Sequence, residues 1–247
     1  MTPLFVALQF LTRIPVRLPH APSPRELGQS LLWYPVVGLM LGALLYALAT
    51  GIDLGLPVLR AGLLLAAWVW LTGTLHIDGL GDTADAWIGG RADRERMLTI
   101  MKDPRAGPGA VAVIVLVLLL KFQAIGAISG AQRIEFLLPP FLARAAVPAL
   151  FATTPYVRPD GIATYHAAEL PRRTALVLVV VCLLVTVVVF RQPGVVAVLA
   201  AAAIFLIMRT MLMRSLGGTT GDTAGAMVEL VETAVLVAIA AQTAAGR

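Results

Sequence analysis

The sequence predicts an all-α fold: a polytopic integral membrane helical bundle with about seven transmembrane helices and a cytoplasmic N-terminus. Three observations support this prediction. Apolar residues make up 59% of the 247 residues and charged residues only 13%, whereas soluble domains carry about 25% charged residues. The mean hydropathy is +0.87, and several stretches approach the ~20 apolar residues that cross a bilayer as a helix. Basic residues are also divided unequally between the two sides of the predicted membrane.

The predicted membrane helices follow one another along the chain without a repeat or a linker, so we expect a single transmembrane catalytic domain over residues 1–247. Two of the spans are short for a bilayer. The spans are Leu31–Thr50, Ala61–Leu75, Val111–Ile128, Phe136–Phe151, Ala175–Phe190, Val195–Met213 and Ala224–Ala241. The apolar segment Leu4–Leu11 lacks a basic region before it, which favours a re-entrant or interfacial helix ending at Arg13 over a cleaved signal peptide.

The basic residues orient the bundle. With a cytoplasmic N-terminus, the inner segments hold thirteen Lys and Arg residues and the outer segments four, including Arg247. This obeys the positive-inside rule, and the opposite orientation reverses it. The basic pI therefore indicates cytoplasmic loops beside anionic lipid rather than a nucleic-acid surface. The single Cys182 excludes an internal disulfide and a cysteine-based metal site.

An acidic segment follows the second predicted span. His76 is followed by Asp78, Asp82 and Asp85, and we expect these residues to open an inner loop that runs to about Pro108. If the segment is helical, the three carboxylates lie on one face and repel one another. A divalent cation removes that repulsion, and hard oxygen ligands favour Mg²⁺ or Mn²⁺ over zinc. The alternative is a solvated charged face. His76 is a candidate base, a metal ligand or a structural hydrogen-bonding residue.

The same loop continues with Lys102, Asp103 and Arg105, and glycines 107 and 109 precede the next predicted helix. A guanidinium fork and the free N–H groups of a helix N-terminus both bind phosphate oxygens. This pattern therefore suits a phosphate-bearing ligand. The alternative is an ordinary loop with a proline at a helix start.

A third inner loop, residues 217–222, reads GGTTGD and precedes the last predicted helix. Asp222 and Glu229 are seven positions apart and share a helix face. An unpaired carboxylate is costly within a membrane helix, so we predict a second carboxylate cluster that faces the first. Gly218 and Thr220 are expected to contact the substrate.

Two acidic clusters with nearby bases and glycine-rich loops, all on the cytoplasmic side, indicate metal-assisted phosphoryl transfer on a diphosphate. These features indicate a class of reaction but no particular substrate.

Five segments also match, in order, the pattern of one known family. They are FLTRIP at 10–15, YPVVG at 34–38, HIDGLGDTAD at 76–85, MKDPR at 101–105 with Gly107, and GGTTGD at 217–222 with Gly225 and Glu229. With these segments the chain resembles the cobalamin synthase family, the adenosylcobinamide-GDP ribazoletransferases. The resemblance covers about residues 10 to 232, nearly the whole chain.

The resemblance implies a reaction at the end of cobalamin biosynthesis. A hydroxyl of α-ribazole, or of its 5′-phosphate, attacks the cobinamide-side phosphorus of adenosylcobinamide-GDP, and GMP leaves. It also implies Mg²⁺ dependence and a location in the bacterial inner membrane with the active site facing the cytoplasm. The implied roles are catalysis for His76, Asp82 and Asp103, substrate binding for Lys102, Arg105, Gly218 and Thr220, and metal binding for Asp78, Asp82, Asp85, Asp222 and Glu229.

Three other functions fit parts of this pattern. A CDP-alcohol phosphotransferase also uses spaced aspartates beside an Asp-Gly pair, but its pattern has Ala-Arg soon afterwards, and here Leu80 follows Gly79. A cation transporter would use Asp78, Glu229 and Glu232 as an ion path, although transporters often show internal repeats. A scaffold for a membrane complex needs fewer acidic loops. A homo-oligomer, or contacts with other cobamide-assembly enzymes, stays open.

Overall fold

The structure, a computed structural model, describes residues 2–51, 55–90, 93–128, 130–158 and 162–245. These residues form α-helices and short 3₁₀ turns, and their only β-type pairing is an isolated bridge between Tyr156 and Thr219. The predicted all-α class is confirmed. The helices are α1 Thr2–Leu11, α2 Pro24–Ser30, α3 Tyr34–Gly51, α4 Pro57–Thr72, α5 Leu75–Gly90, α6 Arg94–Ile100, α7 Pro108–Ala127, α8 Leu138–Thr153, α9 Ile162–Ala168, α10 Arg172–Ser215 and α11 Gly221–Ala245.

Five helical stretches of the described chain are long and apolar enough to cross a membrane, and a bent helix pair adds a sixth if its two helices form one span. This confirms a polytopic helical membrane protein. The count of seven spans and the cytoplasmic N-terminus stay predictions. Two residues used in the charge count, Arg91 and Arg247, lie outside the described residues.

The bent pair is α4 and α5, and it corrects the expected inner loop from His76 to Pro108. Gly73 and Thr74 both have positive φ, 69° and 65°, and the two helices meet at 89°. Gly73 ends α4 in the left-handed conformation that glycine adopts at helix C-termini. The chain then re-enters a helix at once, so the first part of the expected loop is the helix that the aspartate spacing suggested.

The helix α10 is interrupted at Arg191, whose φ of 52° and ψ of −123° are not helical. In a straight helix, residues eight positions apart are separated by about 12 Å. Here a side chain at Gly194 would collide with the backbone carbonyl of Thr186, eight positions earlier. The chain therefore turns back near Arg191. The two legs correspond to the two spans predicted on either side of this residue.

The last helix, α11, lies at the centre and packs against α5, α7, α8 and α10. Its contact with α5 depends on small residues. A methyl group at Gly79 would lie 2.6 Å from the Asp222 carbonyl oxygen, and Gly225 faces the backbone of His76. The acidic helix and the last helix are thus held in backbone contact, which places their polar residues together.

The N-terminal helices pack over one end of this bundle. Helix α1 buries Val6, Leu8 and Leu11, and α2 contacts both α1 and α9. Just after α1, the Arg13 amide donates a hydrogen bond to the Leu71 carbonyl at the end of α4, at 2.8 Å. The predicted short helix is present, and its position at a membrane interface stays a prediction.

Candidate active site

A cavity of about 320 Å³ opens between α5, α11 and the N-terminal helices. Its polar lining includes His76 and Asp78 from α5, Asp222 from α11, and Arg158 from the segment between α8 and α9. The remaining lining is mainly apolar or aromatic, and it consists of Phe10, Leu31, Tyr34, Leu75, Val147, Phe151, Tyr156, Ala163, His166, Gly221, Ala224, Gly225 and Val228.

Arg158 and Asp222 form the central ion pair of this lining. The Arg158 Nη1 donates to Asp222 Oδ2 at 2.7 Å, and both side chains are about three-quarters buried. Asp82, one turn further along α5 than Asp78, interacts electrostatically with Asp78, Asp222 and Arg158. The structure therefore places Asp222 close to the acidic segment, as predicted.

The loop before α11 holds Arg158 in place. The Val157 amide donates to the Thr219 carbonyl at 3.0 Å, and the Thr219 amide donates to the Pro155 carbonyl at 2.8 Å. A side chain at Gly218 would collide with the Pro155 carbonyl, so this close approach requires glycine. Gly218 was predicted to contact substrate, but the structure gives it this packing role and places it outside the cavity lining.

Thr220 also has a structural partner rather than a place in the lining. Its Oγ1 accepts a hydrogen bond from the Thr223 amide at 3.2 Å, and its own amide donates to Thr223 Oγ1 at 2.8 Å. This reciprocal pair satisfies free N–H groups at the start of α11. Thr220 thereby fixes the helix end that carries Asp222.

His76 lies in the lining and is only 4% exposed. Its Nδ1 has no hydrogen-bond partner among the described residues. Nearby, burial raises the pKa of the Tyr156 hydroxyl, which therefore stays protonated and able to donate a hydrogen bond at neutral pH. The lining thus holds an imidazole whose buried Nδ1 is unpaired, together with a protonated phenol.

Asp85 shares the α5 face of Asp78 and Asp82 but has its own partners. Its two oxygens accept hydrogen bonds from the Gly107 amide at 2.6 Å and the Ala110 amide at 2.8 Å. These amides lie at the start of α7, where backbone N–H groups lack helical partners. Asp85, predicted as a metal ligand, thus caps a neighbouring helix and positions the loop before it.

Glu229, predicted as a further metal ligand, lies in a buried ion-pair cluster away from the cavity lining. Lys121 of α7 contacts Glu229 at 2.6 Å and also contacts Glu232. Arg144 of α8 pairs with Glu232. All four side chains are buried. The two cations and two carboxylates neutralise one another. Glu229 therefore has the partner of opposite charge that a carboxylate within a membrane helix requires.

The loop that carries Asp103 lies at the same end of the bundle but outside the lining. Arg105 donates to both oxygens of Asp103, at 2.9 and 2.7 Å. These hydrogen bonds lower the pKa of Asp103 to about 2. Arg105 and Lys102 are exposed. The loop nevertheless reaches the segment before α11, since Thr220 Oγ1 lies 3.9 Å from the Met101 sulfur.

Arg158 was not among the predicted site residues. Among the described lining residues it is the only Lys or Arg. A single arginine between two helices belongs to no periodic pattern, so the sequence does not distinguish it from a basic residue that only sets the orientation in the membrane. Phe10 and Tyr34, which also line the cavity, lie in two of the matching segments, and this was the available signal for them.

The comparisons with known proteins agree in one family. The family described as cobalamin-5-phosphate synthase matches residues 3–240. A protein of Stutzerimonas stutzeri is 54% identical over 243 residues, covering 98% of this chain and 99% of the relative. A protein of Pseudomonas aeruginosa is 52% identical, covering 96% and 97%. Both are named adenosylcobinamide-GDP ribazoletransferase. No solved structure matches the chain. The chain therefore belongs to the cobalamin-5-phosphate synthase family of transferases.

Proposed function

We propose that the chain transfers the adenosylcobinamide-phosphate group from adenosylcobinamide-GDP to α-ribazole or α-ribazole 5′-phosphate. In this reaction a substrate hydroxyl forms a new O–P bond at the cobinamide-side phosphorus. The P–O bond to the GMP phosphate breaks, GMP leaves with that bond's electrons, and the hydroxyl proton passes to a base. The product is adenosylcobalamin or its 5′-phosphate. The site faces the cytoplasm of the bacterial inner membrane, where nucleotides are found.

The observation that carries this proposal is the Arg158–Asp222 pair beside Asp78 in one cavity. A guanidinium binds phosphate oxygens through a planar fork of donors. Arg158 is partly buried, so its charge acts in a medium of lower dielectric than water and is screened less. Arg158 therefore takes the phosphate-binding role that the sequence suggested for Lys102 and Arg105.

The chemistry of the donor set fits Mg²⁺. Asp78, Asp82 and Asp222 supply hard carboxylate oxygens, and Asp82 interacts with the charges of the other two. Among the described residues, no group of three His, Cys, Asp or Glu side chains is already arranged to hold a metal ion. When bound, Mg²⁺ would polarise a phosphoryl oxygen and offset the charge of the leaving phosphate. Asp78, Asp82 and Asp222 would hold it, whereas Asp85 and Glu229 have other partners.

His76 is the candidate base. His76 lines the cavity together with Asp78. Its buried Nδ1 has no hydrogen-bond partner among the described residues, and a neutral imidazole nitrogen can accept a proton. Asp103, the other candidate, is bound on both oxygens by Arg105 outside the cavity lining. We therefore assign the proton transfer to His76.

The test uses purified protein in detergent or nanodiscs with adenosylcobinamide-GDP, α-ribazole and Mg²⁺. We expect equal amounts of GMP and a cobalamin product by chromatography and mass spectrometry, and no product with a chelator. Asp78→Asn should abolish the reaction, whereas the exposed Glu95→Gln should not. Absence of product from folded, unsubstituted protein would contradict the proposal. Turnover of CDP-diacylglycerol, or metal flux in proteoliposomes, would favour the phosphotransferase or the transporter alternative.

A further inference from the structure

The cavity lining has two chemically different parts. The part already described is charged and contains Asp78, Asp222 and Arg158. The other part is formed by rings from three separate elements: Phe10 of α1, Tyr34 at the start of α3, and His166 of α9. Phosphoryl transfer itself does not need an aromatic surface, so this second part calls for its own explanation.

The three rings form one connected surface, which we call the aromatic wall (Phe10, Tyr34 and His166). The centroid of the Phe10 ring lies 6.4 Å from that of Tyr34, with 22° between the planes. It lies 5.6 Å from that of His166, with 38° between the planes. Tyr34 and His166 are each 3% exposed, whereas Phe10 is 38% exposed. Two buried rings thus support a third that retains free surface.

The lining that holds the aromatic wall also includes the aliphatic side chains Leu31, Val147 and Val228. Rings of this kind bind flat heterocycles by stacking. A base with few hydrogen-bonding groups can enter such surroundings at little cost. A base that carries amide and amino groups would leave donors unpaired there.

The size of the cavity also favours a small aromatic base as the bound group. A volume of about 320 Å³ is at the lower end of the range for small-molecule sites. It suits one bicyclic base with its sugar. A corrin macrocycle is far larger, so the cobinamide part of the other substrate has to remain at the mouth.

We propose that the aromatic wall stacks the aromatic base of the ribazole substrate and turns its sugar hydroxyl toward the charged part of the lining. This inference rests on the proposed function. It makes Phe10 a binding residue that sets specificity for the base. The guanine of the nucleotide substrate is the other flat heterocycle in the reaction, and the kinetics below separate the two.

The experiment compares three variants. Phe10→Leu removes the ring and keeps an apolar side chain, whereas Phe10→Trp keeps a ring. Phe5→Leu is the matched control, because Phe5 lies on the same helix and packs against the core without lining the cavity. Initial rates are measured with each substrate varied in turn.

We expect Phe10→Leu to raise the KM for α-ribazole about 10-fold, with the kcat and the KM for adenosylcobinamide-GDP changed less than about twofold. Phe10→Trp and Phe5→Leu should resemble the unsubstituted protein. A rise confined to the KM for adenosylcobinamide-GDP would assign the wall to guanine and overturn the inference, as would unchanged constants in Phe10→Leu.

A second measurement needs no variant and covers the case in which Phe10→Leu does not fold. An α-ribazole analogue with a single-ring imidazole base should show a KM about 10-fold higher with the unsubstituted protein, and an equal KM would overturn the inference. Lack of any turnover of adenosylcobinamide-GDP by folded unsubstituted protein contradicts the proposed function instead, so the two failures are distinguishable.

Discussion

Arg158 donates a 2.7 Å hydrogen bond to Asp222, a residue 64 positions away in the chain. The pair joins the segment after α8 to the first turn of α11, and both side chains line the cavity. A cation and a carboxylate that are paired in this way can exchange partners when a phosphate and a metal ion arrive, because each ligand takes the partner of opposite charge.

Replacing Arg158 tests its contact with phosphate. We expect Arg158→Ala to reduce kcat/KM about 100-fold or more, because a partly buried cation that stabilises charge in the transition state is lost. Arg158→Lys should recover part of the activity, since it keeps the charge and loses the fork. The exposed Arg214→Ala is the matched control. Equal activity of Arg158→Ala and Arg214→Ala would contradict the role.

The metal assignment can be measured without turnover. Asp82→Asn and Asp222→Asn remove carboxylate charge from the proposed Mg²⁺ site, so both should weaken Mn²⁺ binding in a titration followed by electron paramagnetic resonance. Glu95→Gln should leave binding unchanged. We expect the two aspartate variants also to lose about 100-fold in rate. Unaltered Mn²⁺ affinity in both aspartate variants would contradict the assignment.

Asp85 should behave as a helix cap. Asp85→Ala removes the acceptor for the Gly107 and Ala110 amides, and we expect a loss of about 1 kcal/mol of stability. Asp85→Asn keeps one acceptor oxygen and should recover only part of that loss, because its NH2 group then faces the other backbone amide. Thermal unfolding in detergent, followed by intrinsic fluorescence, measures both variants. Full stability of Asp85→Ala together with lost Mn²⁺ binding would instead make Asp85 a ligand.

The buried ion pairs predict non-additive variants. Glu232→Gln leaves Arg144 buried without its carboxylate, and we expect a loss of about 3–5 kcal/mol. Combining it with Arg144→Met removes both charges of this pair and should recover much of that loss. A double-mutant cycle of unfolding midpoints gives the coupling energy. Additive losses in the cycle would show that the two side chains do not interact.

The pH dependence separates Asp103 from the base. Hydrogen bonds from Arg105 hold the pKa of Asp103 at about 2, below its ordinary value of 3.8. Arg105→Gln should raise that pKa toward the ordinary value, so any stability from this exposed pair is present above that value and lost as pH falls through about 2. Both values lie below about pH 5. The pH–rate profile from about pH 5 to 9 should therefore keep its shape in Arg105→Gln. An acidic limb that moved within this window would contradict the pKa of about 2 for Asp103 and would make Asp103 a candidate base again.

The helical face of α5 could be predicted because three aspartates at helical spacing leave a regular pattern. The approach of Asp222 followed from a second carboxylate pattern on the same side. The turn at Gly73 and Thr74 lies slightly before the predicted end of the span at Leu75, because only the glycine marks the helix end. The partners of Asp85 and Glu229 could not be inferred either, because backbone amides and distant cations leave no local spacing in the sequence.

The sequence alone did not predict that Arg158 and the aromatic wall lie in one cavity. Each of these residues stands alone in its segment, and only the packing of α1, α3, α9 and α11 brings them to one cavity. The pattern of Lys102 and Arg105 around Asp103, before two glycines, led to their assignment to the phosphate. The Arg105 side chain is 86% exposed, whereas Arg158 lies in the cavity lining, so the role of Lys102 and Arg105 stays a prediction.

The buried charges of α7, α8 and α11 have a consequence for biogenesis. Lys121 and Arg144 precede Glu229 and Glu232 in the chain, so a ribosome delivers both cations to the membrane before either carboxylate. Until α11 is inserted, those cations have no counter-ion from the cluster. The final helix therefore completes charge neutrality for two helices already made, and a chain stopped before α11 would expose two uncompensated cations to the quality-control machinery of the cell.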